Sequence, residues 1–168
     1  MKIQILDKTK KKKFIAGIEN FGIKKIPELL IRTGKERIRA YSGNFSTDEI
    51  WDIWRILPIE GIGLYVGKDS VNRHGVREVR LSLDGLHTWK EQINKDIFVL
   101  TKNQEKEWFE GKNVSLTENQ KKEFGEEISF VAVRSSEGND FVGTAKIGDR
   151  GETLYGFLPK ERRRKGQA

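Results

Sequence analysis

From residue 59 onward the chain consists of short apolar–polar segments separated by glycine-containing turns, and this pattern restricts the possible folds most strongly. Alternating or mostly apolar segments cover residues 61–68, 76–83, 128–134 and 141–147. Turns rich in Gly, Asn, Asp and Ser join them at residues 135–140 and 148–151. Strands joined by such turns are typical of hairpins, and a run of hairpins is typical of a small barrel. We therefore expect a pseudo-β-barrel over residues 59–165.

The first 58 residues mix helical and strand patterns. Ser46 and Glu49 form a capping-box signature before an apolar stripe at residues 50, 53, 54 and 57, which Pro58 ends. Residues 3–6 and 37–41 predict strands, and the apolar spacing of residues 14–21 predicts a helix that ends at Gly22. We expect an α+β protein, with a small N-terminal α/β domain at 1–58 followed by the barrel at 59–165.

A short near-repeat lies within the barrel region. Leu100-Thr-Lys-Asn-Gln-Glu-Lys-Glu-Trp108 matches Leu116-Thr-Glu-Asn-Gln-Lys-Lys-Glu-Phe124 at most positions. Each copy carries Thr-x-x-Gln, which is a capping-box signature. The spacing is too short for a solenoid repeat, so we expect two short helices, each beginning just after a strand.

Positive charge is concentrated at the two ends of the chain. The net charge is +7, with +5 in residues 1–13, +4 in residues 160–168 and −2 in the intervening body. The C-terminal group is rich in arginine, whose planar guanidinium matches phosphate oxygens, and it directly follows Pro159. We expect phosphate contacts there. The lysines at 10–13 either form a solvated tail or add a non-specific attraction for RNA.

Motifs for several classes of chemistry are missing. The chain has no cysteine, residues 62 and 69 do not fit a phosphate-binding P-loop, and there is no Rossmann glycine pattern. Its two histidines, His74 and His87, make a poor metal set. No apolar run approaches the roughly 20 residues of a transmembrane helix. We expect no enzyme activity, cofactor or metal, no membrane association, and a cytoplasmic location.

The second half contains three glycine-bearing motifs: Gly63-Leu-Tyr-Val-Gly-Lys68, Arg80-Leu-Ser-Leu-Asp-Gly-Leu-His87 and the turn Trp108-Phe-Glu-Gly111. These motifs resemble those of the PUA domain, a small RNA-binding pseudo-barrel. Val142-Gly-Thr-Ala-Lys146 and Leu158-Pro-Lys160 resemble the closing strands of the PUA-like domain in Sun/Nop-type RNA cytosine-5 methyltransferases. Here Thr144-Ala145 replaces the second glycine of that pattern, and Gly156 stands where an asparagine is usual. The chain is similar to a stand-alone, archaeal-type PUA protein related to that group.

The resemblance implies binding of structured RNA, in tRNA or rRNA, during RNA modification or ribosome biogenesis. A-form RNA presents phosphates and 2′-hydroxyls to a protein, so basic side chains are the expected contacts. The candidates are Lys68, Arg73, Lys146, Lys160, Arg162, Arg163 and Arg164. Tyr155 either stacks on an end base or belongs to the core.

Two other functions stay open at this point. An RNA-modifying enzyme with an unrecognised N-terminal site predicts a polar pocket near residues 37–41. A docking module for an RNA methyltransferase or a ribosomal protein predicts an exposed apolar patch around Trp51.

Overall fold

The computed structural model describes residues 2–57, 61–125 and 130–165, and the chain divides into two compact units. The first unit covers Met1–Gln92 and the second covers Ile93–Ala168. The fold is mixed α+β, with two five-stranded sheets, one of which curls into a half-barrel, and five α-helices in the described ranges.

The first unit is built on an antiparallel sheet in the order β1-β2-β3-β4-β5. The strands are β1 Ile3–Ile5, β2 Leu29–Thr33, β3 Arg37–Tyr41, β4 Leu64–Val71 and β5 Arg77–Leu81. Three helices accompany them: α1 Lys8–Ala16, α2 Thr47–Ile56 and α3 Leu83–Thr88. Because every neighbouring pair is antiparallel, this unit has an α+β arrangement instead of the expected α/β one.

The chain divides later than the sequence predicted. The expected boundary after residue 58 lies inside the first unit, because β3 and β4 on either side of it pair directly, with Arg37 opposite Lys68. Strand pairing of β4 and β5 therefore assigns residues 64–81 to the N-terminal sheet. Pro58 itself lies outside the described residues.

The first predicted helix was placed too far along the chain. Helix α1 begins at Lys8, since the side chain of Asp7 accepts a hydrogen bond from the Lys10 N–H, and it ends at Ala16. A separate 3-10 turn at Glu19–Phe21 ends at the left-handed Gly22. The lysines at 10–13 are therefore helical, while the apolar side chains expected there, including Phe14 and Phe21, are fully buried.

The second unit is a sheet in the order β6-β8-β9-β10-β7, in which only β6 and β8 run parallel among the pairs described. The strands are β6 Ile97–Val99, β7 Val114–Ser115, β8 Phe130–Arg134, β9 Phe141–Gly148 and β10 Thr153–Gly156. Residues 128 and 129 of the predicted β8 lie outside the described ranges. Helices α4 Lys102–Phe109 and α5 Glu118–Phe124 complete the unit.

All three predicted capping boxes are confirmed. Ser46 caps α2 and bonds reciprocally with Glu49, while Thr101 and Thr117 cap α4 and α5 in the same way. Each cap is a contact three residues apart, so local sequence specifies it.

The second core surrounds Trp108, which is 1% exposed and lies with Phe98, Ile147 and Leu154. Its indole N–H donates to the Val142 carbonyl at 3.3 Å. A Cβ at Gly156 would lie 2.6 Å from the Trp108 ring. A side chain at this position would therefore displace the central core residue.

Candidate nucleic-acid interface

The C-terminal basic segment, defined as residues 160–165, folds against the second unit. Lys160–Arg162 form one 3-10 turn after Pro159, and the Arg163 N–H closes it by donating to the Lys160 carbonyl at 3.2 Å. The Arg164 N–H then donates to the carbonyl of Phe109, at the end of α4, at 2.7 Å. The segment presents five cations and one acid from an ordered backbone.

Two arginine side chains of this segment make defined contacts with other residues of the second unit. Arg163 Nε donates to the Leu158 carbonyl at 3.1 Å, and the stem of the side chain covers Gly111. Gly111 has a φ of +76°, and a Cβ there would lie 2.4 Å from Arg163 Cδ, so glycine suits both the turn and the arginine. The Arg164 guanidinium lies 4.8 Å from the centre of the Phe109 ring, a cation–π distance.

Both guanidinium groups remain exposed despite these contacts. Within the described residues, neither guanidinium forms a salt bridge, and Arg164 acts electrostatically on the carboxylate of Glu105. The pKa of Glu105 is lowered chiefly by hydrogen bonds from the Ser136 hydroxyl and N–H, with a smaller contribution from Arg164. The guanidiniums are held in position and still face solvent, as phosphate-binding groups must.

Lys146 and Tyr155 lie side by side on one face of the second sheet. Strand register sets Phe130, Lys146 and Tyr155 opposite one another across β8, β9 and β10, and directly opposite residues share a face. The Lys146 ammonium lies 5.2 Å from the centre of the Phe130 ring. Phe157 follows two residues after Tyr155, is 39% exposed, and its ring centre is 5.9 Å from that of Phe130.

We call Phe130, Lys146, Tyr155 and Phe157 the aromatic row. Tyr155 is half-buried, with its ring against Gly148 and its hydroxyl donating to Asp149. That hydrogen bond is the main cause of a raised pKa for Tyr155. Aromatic faces beside a cation suit stacking with bases and contact with phosphate. Phe130 and Phe157 were not predicted, because only strand register brings them next to Lys146.

Lys68 and Arg73 belong to the first unit. Lys68 lies between Arg37 and Arg80 in the register of β3, β4 and β5, and it pairs with Glu36 at 2.8 Å. Arg73 is exposed in the turn after β4, where Asn72 Oδ1 accepts from the N–H groups of His74 and Val76. The basic row across three strands was not visible in the sequence, since its members are far apart along the chain.

Two polar groups near β3, where the alternative of an enzyme predicted a polar pocket, are hydrogen-bonded within the protein. A groove of about 380 Å³ is lined by residues that include Glu28 and Tyr41. The Glu28 carboxylate accepts from the Trp89 indole at 3.1 Å, and the Tyr41 hydroxyl accepts from the Phe45 N–H at 3.0 Å. These contacts stabilise the fold.

No family model matches this chain, and its sequence has no match among curated proteins. Over the described ranges, His, Asp and Glu side chains form no group of three or more suited to a metal ion. In the same ranges no helix combines the length and the apolarity needed to cross a bilayer. Fold and site geometry define an α+β protein with an ordered, arginine-rich surface on its second unit.

Proposed function

We propose that this chain is a non-catalytic RNA-binding protein that grips structured RNA, in tRNA or rRNA, during RNA modification or ribosome biogenesis in the cytoplasm. The observation that carries the proposal is the docked C-terminal basic segment. Arg164 is tied to Phe109 through both its backbone and its guanidinium, and Arg163 is tied to Leu158 and Gly111. A mobile solubility tail would have neither contact.

Arginines held in this way lose less conformational entropy when they bind phosphate, which favours affinity. The aromatic row supplies the second ingredient, because half-exposed rings beside Lys146 can stack on an unpaired base next to a gripped stem. Lys160 and Arg162 extend the segment on its exposed side. The similarity to the PUA-like pattern at residues 142–146 and 158–160 supports the choice of RNA as the ligand.

The proposal is tested by changing Arg162, Arg163 and Arg164 together to Gln. If each neutralises one phosphate, the plot of log affinity against log salt should lose about two to three units of slope, at about 0.7–0.9 per contact. Affinity should fall equally on RNA hairpins of different sequence, because phosphates carry no sequence information. Fluorescence anisotropy of a labelled hairpin over a salt series gives both quantities.

A matched control changes three exposed lysines of the same unit, Lys95, Lys102 and Lys122, to Gln, which removes the same net charge. If the control flattens the slope as much as the arginine variant, attraction is diffuse and the assigned segment is wrong. Absence of RNA binding by the unaltered protein at low salt would overturn the function itself.

A second candidate function is docking to a partner protein such as an RNA methyltransferase or a ribosomal protein. An apolar groove of about 580 Å³ runs beside β1 and is lined by Ile3, Ile5, Leu29 and Trp51. Ile56 and Leu57, at the end of α2, are 77% and 52% exposed. Trp51→Ala should abolish capture of such a partner and leave hairpin affinity unchanged.

A further inference from the structure

The first unit contains a basic pocket, and two of its residues, Lys10 and Lys13, belong to the lysine run for which the sequence predicted at most a non-specific attraction for RNA. Its volume is about 530 Å³. The lining carries a net charge of +3, from five cations and the two carboxylates Glu36 and Asp69. The cations are Lys10, Lys13, Arg32, Lys35 and Arg77.

A buried carboxylate organises this pocket. Asp69 is 4% exposed and receives two hydrogen bonds from Arg77, at 2.7 and 2.9 Å, and one from Arg32 at 2.5 Å. One anion between two guanidiniums leaves an excess positive charge at the pocket wall. Paired and hydrogen-bonded in this way, the carboxylate tolerates burial and orients both arginines.

The same arginines also hold the lysines of the pocket in position. Arg77 donates to the Lys13 carbonyl at 2.9 Å, and Arg32 donates to the Lys35 carbonyl at 3.1 Å. These bonds tie the end of α1 and the β2–β3 turn to the Asp69 centre. The side chains of Lys13 and Lys35 are exposed and have no ion-pair partner among the described residues.

Neighbouring acids cancel only part of this charge: Asp7 pairs with Lys10 at 3.2 Å, and no acid of the described residues pairs with Lys13 or Lys35. Glu36 is paired with Lys68 at 2.8 Å, so its carboxylate is already balanced by a cation that does not line the pocket. The exposed ammonium groups of Lys13 and Lys35 are therefore available for an anion.

We propose that this pocket binds backbone phosphates of the RNA that the protein grips, as a second contact surface on the first unit. The inference rests on the proposed function and adds residues that it does not include. A small phosphorylated metabolite would need an apolar or aromatic wall for its organic part. Val71 is the one apolar side chain among the lining residues described. The pocket therefore lacks such a wall and would attract a phosphate chain through its charge.

Helix α1 provides a matched pair of variants. Lys10 and Lys13 are three residues apart and share the face that lines the pocket. Lys8 and Lys12 are four apart and share the opposite face of the same helix. Lys10→Gln/Lys13→Gln and Lys8→Gln/Lys12→Gln therefore remove the same charge from the same helix, and all four lysines are exposed.

Binding of the full chain to a labelled RNA hairpin is measured over a salt series for both double variants and for the Arg162/Arg163/Arg164 variant. The pocket double should lose about 1.4–1.8 units of salt slope, for two phosphate contacts, and the control double should lose well under half of that. Equal losses of salt slope in the two double variants would overturn the assignment of the pocket as a phosphate site. A loss of slope in the arginine variant would in that case still support the proposed function. Loss in the pocket double alone would overturn the C-terminal assignment and keep the pocket.

A second measurement separates RNA from small anions. Backbone amide shifts of Lys13 and Lys35 are followed by NMR during titration with the hairpin and with inorganic pyrophosphate. Saturable shifts with the hairpin support the inference. Saturable shifts with pyrophosphate and none with the hairpin would make the pocket a small-anion site and overturn it.

Discussion

Two buried glutamines join the near-repeat of the second unit, and they allow a quantitative prediction. Gln104 and Gln120 are 5% and 9% exposed, and each amide donates to the other, at 2.8 and 3.0 Å. Each oxygen also accepts from the N–H of its own cap, Thr101 or Thr117, at 2.9 Å. Each nitrogen also donates to a strand carbonyl, that of Ser115 or Val99. Both amides are therefore fully hydrogen-bonded.

Replacing either glutamine by alanine breaks four of these bonds, and replacing both breaks six because two are shared. At about 1 kcal/mol for each bond, a single change costs about 4 kcal/mol and the double change about 6 kcal/mol. The double change should therefore cost about 2 kcal/mol less unfolding free energy than the two single changes added together, a difference within the range measured for contacting residues.

Because the chain has two compact units, the stability of the second must be followed by itself. Native-state hydrogen exchange of the β8 and β9 amides, read on peptides by mass spectrometry, reports it. Asn103→Ala and Asn119→Ala are matched controls, since these exposed residues directly precede the glutamines. They should cost less than about 0.5 kcal/mol. Additive costs for the two glutamines would refute the view that they form one unit.

Two further predictions concern the first unit. Burial alone would raise the pKa of Asp69, but hydrogen bonds and charge from Arg77 and Arg32 outweigh it and lower that pKa. The carboxylate therefore stabilises the fold at pH values above its unfolded pKa of about 3.9. This contribution is lost as the pH falls through the lower pKa that the carboxylate has in the folded protein. Hydrogen exchange of β4 between neutral and acid pH should show this loss, and Asp69→Asn should be less stable at neutral pH with a weaker acid dependence. Ser46→Ala removes the capping box of α2 and should cost about 1 kcal/mol, measured in the same way, whereas the exposed Ser42→Ala should cost little. An acid dependence unchanged in Asp69→Asn, or equal costs for the two serines, would contradict these assignments.

The sequence showed the candidate RNA segment as an arginine-rich group after Pro159, but it did not show which residues hold that segment in place. Residues Phe109 and Gly111, which hold Arg164 and Arg163, were quoted only as part of a turn motif, and nothing local connects them to residues more than 50 positions later. Phe130 was missed in the same way, because its place beside Lys146 follows from the register of β8 and β9.

Local chemistry was therefore determined by the sequence alone. The caps at Ser46, Thr101 and Thr117 each depend on residues three apart, and the strand at Arg37–Tyr41 on its own alternation. Tertiary structure decided which distant charges meet. Asp69 bonds with Arg32 from β2 and Arg77 from β5, and strand pairing carries the sheet of the first unit past residue 58 to Leu81. Such contacts depend on sheet order and register, which are set by burial of whole faces and not by any short stretch of sequence.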